Sequence, residues 1–108
     1  MVRMVENLKE FKDILKESGS KLVVVDFTAK WCGPCQRIAP DYEALSIHPA
    51  NGDVVFLKVD VDEAEDVTSE YGIQSMPTFM FFRGEKKLGQ FSGANIDMLR
   101  SEIQKYRG

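Results

Sequence analysis

Three observations predict an α/β chain built in three layers, α/β/α, around a central five-stranded mixed sheet with about four helices. Two runs, Leu22-Val23-Val24-Val25-Asp26-Phe27-Thr28 and Val54-Val55-Phe56-Leu57-Lys58-Val59-Asp60, are apolar on both faces, the signature of central, covered strands. Stretches with apolar residues at helical spacing lie before, between and after them. Late in the chain, Arg83-Gly84-Glu85 separates two further strand-like runs at hairpin distance.

In chain order, Met1 to Val5 reads as a short strand. Asn7 is placed as a helix N-cap, with Glu10 three residues on in capping-box position. Leu8, Phe11, Ile14 and Leu15 follow at helical spacing, and Gly19 supplies the stop. After the first central strand a helix is expected from about Gly33 to Ser46, with Pro40 inside it as a kink. Ile47 to Asp53, with Pro49, Asn51 and Gly52, reads as a loop. Beyond the second central strand, acidic residues crowd Asp62 to Asp66, and a short helix ends near Gly72. Pro77 to Phe82 is a strand, and Lys86 to Phe91 returns antiparallel to it. Asn95 caps a last helix that turns Ile96, Leu99, Ile103 and Tyr106 inward. Strands joined through helices are expected to run parallel with right-handed crossovers, and the hairpin adds an antiparallel edge.

The length of 108 residues suits a single domain, 1–108, with a real hydrophobic core. Charged residues make up 29% of the chain and the net charge is −3, without a dense Lys/Arg cluster. That argues against a nucleic-acid partner. No apolar run is long enough to span a bilayer, so no membrane association is expected. The N-terminus lacks the apolar core and cleavage pattern of a signal peptide. The expected setting is a soluble, reducing compartment, the cytoplasm, where a purely structural disulfide is rare.

Against that background Trp31-Cys32-Gly33-Pro34-Cys35 stands out. It holds the only two cysteines of the chain, directly after a strand and at the start of a helix. This context reads as a redox dithiol on a first helical turn. A thiol becomes a useful nucleophile as its thiolate, which a helix N-terminus stabilises. Cys32, with an exposed sulfur at the helix start, is the expected nucleophile. Cys35, one turn further in, is more buried and becomes the resolving thiol. Zinc is disfavoured, because it wants four ligands and the only other Cys or His is His48. Asp26, the only charge in its strand, sits six residues before Cys32. Desolvation there should raise its pKa, and Lys58 in the neighbouring strand is placed to offset its charge.

Val-Asp-Phe at 25–27, Trp-Cys-Gly-Pro-Cys at 31–35, Met-Pro-Thr-Phe at 76–79 and Phe-Ser-Gly-Ala at 91–94 together resemble the thioredoxin family. The resemblance covers essentially the whole chain. With its short N-terminus and Leu-Lys-Val-Asp-Val-Asp stretch, the chain is more similar to animal cytosolic members than to bacterial ones. It departs from the family in three places. The extra cysteines of many vertebrate members are missing, position 36 is Gln where Lys is common, and the Ile47 to Asp53 loop looks longer.

The resemblance implies the thioredoxin fold and a protein disulfide reductase that cycles between the Cys32/Cys35 dithiol and disulfide. An NADPH-dependent thioredoxin reductase would restore the dithiol. Clients would be disulfide-containing proteins such as peroxiredoxins, reductases or similar enzymes. The protein would act as a monomer, without a cofactor or metal of its own. Gly33 and Pro34 would set the geometry between the sulfurs and favour the dithiol. Asp26 would serve as base and acid for Cys35. Pro77, following Met76 in cis, would expose the Met76 backbone for pairing with an extended substrate. Trp31, Met76, Gly93 and Ala94 would form a shallow, mostly apolar surface around the sulfurs. Two other functions suit the same residues. One is an oxidising or isomerising module of the same fold, which often has His where Pro34 stands. The other is a redox-gated binding subunit without catalysis. Tyr42, Phe79 and Phe81 are assigned to the core, His48 to solvent, and the acidic stretch from Asp60 to Asp66 to a solvated face, with Asp60 and Asp62 placed to affect partner choice.

Overall fold

A computed structural model describes residues 1–108. The elements are β1 (Val2–Val5), α1 (Leu8–Glu17), β2 (Leu22–Thr28), α2 (Gly33–Ile47), a 3-10 turn (Pro49–Asn51), β3 (Val54–Asp60), α3 (Glu65–Glu70), β4 (Thr78–Arg83), β5 (Lys86–Ser92) and α4 (Ile96–Arg107). The strands form one five-stranded sheet in the order β1-β3-β2-β4-β5. β3 pairs in parallel with β1 and β2, whereas β4 is antiparallel to β2 and β5 to β4. The expectation that every helix-linked strand runs parallel therefore fails at β4. Six residues of α3 cover about 9 Å at 1.5 Å per residue. A seven-residue strand such as β3 covers about 23 Å. The helix is too short to carry the chain back along the sheet, so β4 enters from the end where β3 left.

Alternation along the strands sorts the core into two halves. Val23, Val25 and Phe27 of β2 point to α1 and α3, where they pack with Phe11, Ile14, Leu15 and Val67. Leu22 and Val24 point to α2 and α4, where they meet Ile38, Tyr42, Leu99 and Ile103. All seven residues of β2 are buried, as its two-sided apolar pattern requires. Tyr42, Phe79 and Phe81 are fully buried. Tyr42 also anchors α2: its hydroxyl lies 2.7 Å from the Leu57 carbonyl oxygen and 3.2 Å from that of Val24.

Local signals hold at most element ends. Asn7 Oδ1 accepts the Glu10 amide N–H at 2.8 Å, and Asn95 Oδ1 accepts that of Met98 at 3.0 Å. The capping box is incomplete, because the Glu10 carboxylate accepts the amide of Glu6, not that of Asn7. Its other oxygen is held by Arg3 of β1 at 3.2 Å, which draws the group toward the strand. Gly19 takes φ +60° behind α1, a value that favours glycine. The expected loop from Ile47 to Asp53 contains the 3-10 turn. His48 is exposed and its Nδ1 accepts the Ala50 amide at 3.0 Å. Asn51 is buried, bridging the Leu45 carbonyl and Arg107. No helix is long and apolar enough to cross a membrane.

Candidate active site

β2 ends at Thr28, and three residues later Trp31 leads into α2. Cys32 is the N-cap of α2, with extended backbone at φ −88° and ψ 111°. A helix start leaves its first amides without intrahelical acceptors. The Cys35 amide meets this need by donating to Cys32 Sγ at 3.2 Å. Gly33 and Pro34 fill the first two helical positions. Pro34 lacks an N–H where one would go unused anyway, and its ring holds the helical φ. The two sulfurs are joined in a disulfide, with Cα atoms 5.3 Å apart.

The expected contrast between the cysteines holds in order, though not in degree. Cys35 is 1% exposed and Cys32 6%. The exposed sulfur expected for Cys32 is therefore corrected to a nearly buried one. Cys32 packs with Ala29, Cys35 and Met76, and the Met76 carbonyl oxygen is 3.6 Å from its Sγ. In the disulfide that sulfur has no hydrogen to donate; a reduced thiol would. Gly33 and Pro34 remain exposed.

Asp26 lies on β2 opposite Lys58 of β3 and Phe79 of β4. Alternation with Val24 aims it at the α2 side of the sheet, the side that carries Cys35. It is 0% exposed, and neither carboxylate oxygen has a hydrogen-bond partner. Burial pushes its pKa up to about 7, against a smaller downward pull from the Lys58 ammonium.

The remaining rim residues come from four segments separated in sequence. Trp31 is 68% exposed, and its indole N–H donates to Asp62 Oδ2 at 2.8 Å. Asp60 is buried, contrary to its expected solvated position. Its carboxylate accepts the amides of Asp62 and Glu63 at 2.9 and 3.2 Å, which holds the turn that presents Asp62. Met76 is half-buried, and the Met76–Pro77 peptide bond is cis. The Pro77 carbonyl accepts the Gly93 amide at 2.9 Å, which brings Gly93 and the exposed Ala94 beside the Met76 segment. Gly93 has φ +109°, where an L side chain would be strained.

Sequence reading did not single out two arrangements here. Thr78 Oγ1 donates to the Ser75 carbonyl at 2.7 Å and meets the Ser92 hydroxyl at 2.8 Å, locking the Met76 segment to the end of β5. Gln36 donates to the Ala29 carbonyl at 3.1 Å. Neither has a sequence signal, because both join residues apart in the chain. No group of three His, Cys, Asp or Glu side chains is placed to hold a metal ion.

The sequence model of the thioredoxin family matches residues 2–105. The chain belongs to the thioredoxin family. It is 52% identical to a thioredoxin of Ictalurus punctatus over 107 residues, covering 99% of this chain and 100% of that protein. It is 48% identical to a Homo sapiens thioredoxin over 103 residues, covering 95% and 96%. Among solved structures, Malassezia sympodialis thioredoxin superposes with a TM-score of 0.91 at 40% identity, covering 99% of this chain and 94% of that one. Fasciola hepatica thioredoxin gives 0.91 at 41% identity, covering 95% and 97%. With the paired Cys32 and Cys35 at its helix start, this thioredoxin-family chain is a thiol–disulfide oxidoreductase.

Proposed function

We propose that this chain, working as a single domain, reduces disulfides of other proteins in the cytoplasm and is re-reduced by an NADPH-dependent thioredoxin reductase. The family pairs with such a reductase and with disulfide-containing substrates. In the proposed cycle the Cys32 thiolate attacks one sulfur of a client disulfide. The client S–S bond breaks, a mixed disulfide to Cys32 forms, and the other client sulfur leaves as thiolate. Cys35 then gives its proton to the Asp26 carboxylate and attacks Cys32 Sγ. The mixed disulfide breaks, the second client sulfur leaves as thiolate, and Cys32–Cys35 is left oxidised. Two electrons have passed to the client. Trp31, Met76, Pro77, Gly93 and Ala94 receive the client segment, with the Met76 backbone as its pairing edge.

The observation that carries this reading is the buried, unpartnered Asp26 carboxyl on the Cys35 side of the sheet. A buried carboxyl without hydrogen bonds costs stability, so its presence in the centre of the sheet points to a role in the chemistry. With a pKa of about 7 it can take and return a proton near neutral pH. The test is a trapping experiment. Cys35→Ser should accumulate mixed disulfides on Cys32, because no resolving thiol remains, and Cys32→Ser should accumulate far fewer. Equal trapping by the two variants would reverse or erase the assigned roles.

A further inference from the structure

The chain has five arginines, and four are engaged. Arg3 pairs with Glu10 at 3.2 Å and Arg100 with Asp97 at 3.4 Å. Arg83 donates to the carbonyls of Ser20 and Tyr106. Arg107 donates to Asn51 at 2.7 Å and lies 3.8 Å from Asp53. Arg37 is exposed and makes neither a hydrogen bond nor an ion pair. Its guanidinium is not turned away from the site. Nη1 lies 3.6 Å from where a Cβ on Gly33 would stand, so the side chain folds back one turn along α2 onto the residue next to Cys32.

The other polar and charged groups at this rim have partners, although Asp62 has no ion pair. Lys30 pairs with Glu63 at 3.3 Å, and Asp62 accepts the Trp31 indole N–H. Gln36 is neutral and spends its amide on Ala29. Arg37 is thus the uncompensated cation on the first turns of α2, on a protein whose net charge of −3 otherwise repels acids. A guanidinium offers a planar fork that matches a carboxylate with two parallel hydrogen bonds.

We propose that Arg37 is a specificity determinant, selecting client disulfides flanked by an Asp or Glu on the segment that crosses the first turn of α2. This rests on the reductase reading above. Such a partly exposed pair is worth up to about fivefold in rate and weakens with salt.

The test uses the full chain in reduced form, mixed once with either of two synthetic peptides. Each peptide carries one internal disulfide, and they differ only in a Glu or a Gln beside it. The readout is the Glu-to-Gln ratio of second-order rate constants in each protein, so that a general loss of activity cancels. Wild type should favour the Glu peptide by about three- to fivefold at low salt, and less at 0.5 M salt, about a 4 Å screening length. Arg37→Gln should bring the ratio near one, and Arg37→Glu should invert it. An unchanged ratio in Arg37→Glu, or equal losses on both peptides with the ratio kept, would overturn the proposal. A wild-type ratio near one at low salt would overturn it too, with the reductase reading intact. A wild-type protein that reduces neither peptide would instead overturn the reductase reading, and the proposal with it.

Discussion

Replacing Asp26 by Asn tests the buried carboxyl directly. The group rises from 3.8 to about 7 on folding, roughly three units. At about 1.4 kcal/mol per unit the folded state is penalised by up to about 4 kcal/mol. The sign follows from which state ionises first. Below pH 3.8 the carboxyl is protonated in both states and there is no penalty. Between 3.8 and about 7 the unfolded chain ionises while the folded one resists, so wild-type stability falls as pH rises. Above about 7 both states are ionised and the penalty is fully developed. Asparagine keeps the shape and has no charge to desolvate. Its amide inherits a site without hydrogen-bond partners, at a cost of about 1–3 kcal/mol. The expected net gain is therefore about 1–3 kcal/mol at pH 8, reversing to a net loss at pH 4. Urea unfolding of the oxidised protein at both pH values measures this as a midpoint shift of about 1 M, since m is about 1–3 kcal/mol per M. The variant should also reduce insulin disulfides more slowly at neutral pH, because Asn cannot take the Cys35 proton. A variant that is less stable at pH 8 by the same margin as at pH 4, and equally active, would make Asp26 a structural anchor.

Two further outcomes follow from the site. Brief iodoacetamide treatment of the reduced protein should label Cys32 well before Cys35, given its greater exposure and its hydrogen bond from the Cys35 amide. Equal labelling in mass maps at neutral pH would remove the basis for the assignment. Pro34→His should make the protein a stronger oxidant, because a nearby imidazolium stabilises the Cys32 thiolate and with it the reduced form. Equilibration with glutathione reads this directly, each tenfold change in the equilibrium constant being about 30 mV for a two-electron couple. An unchanged or lower potential would remove this account of Pro34.

Much of the molecule was legible because its signals are local. The covered strands Leu22–Thr28 and Val54–Asp60 show in their continuous apolar runs, and the structure returns both with the same ends. Asn7 and Asn95 declare helix starts because a capping side chain reaches an amide three residues on. The dithiol is a five-residue motif whose chemistry depends on the turn it creates, so Cys32, Gly33, Pro34 and Cys35 could be singled out from the chain alone. Asp26 was visible as a charge in an otherwise apolar strand.

Long-range geometry decided the rest. The antiparallel entry of β4 depends on where a six-residue α3 leaves the chain, and hydrophobic patterning carries no strand direction. Asp60 and Asp62 look alike in sequence, yet one is buried beneath a turn and the other accepts the Trp31 indole from 31 residues away. The near burial of Cys32 depends on Met76, 44 residues on. Arg37 is indistinguishable from the other arginines until folding supplies partners to four of them and leaves it bare beside Gly33. Sequence determines what is satisfied within about a turn of each residue: periodicity, capping and the redox motif. Pairing, burial and charge balance across the sheet belong to the tertiary structure, because they are set by distances that the order of residues does not contain.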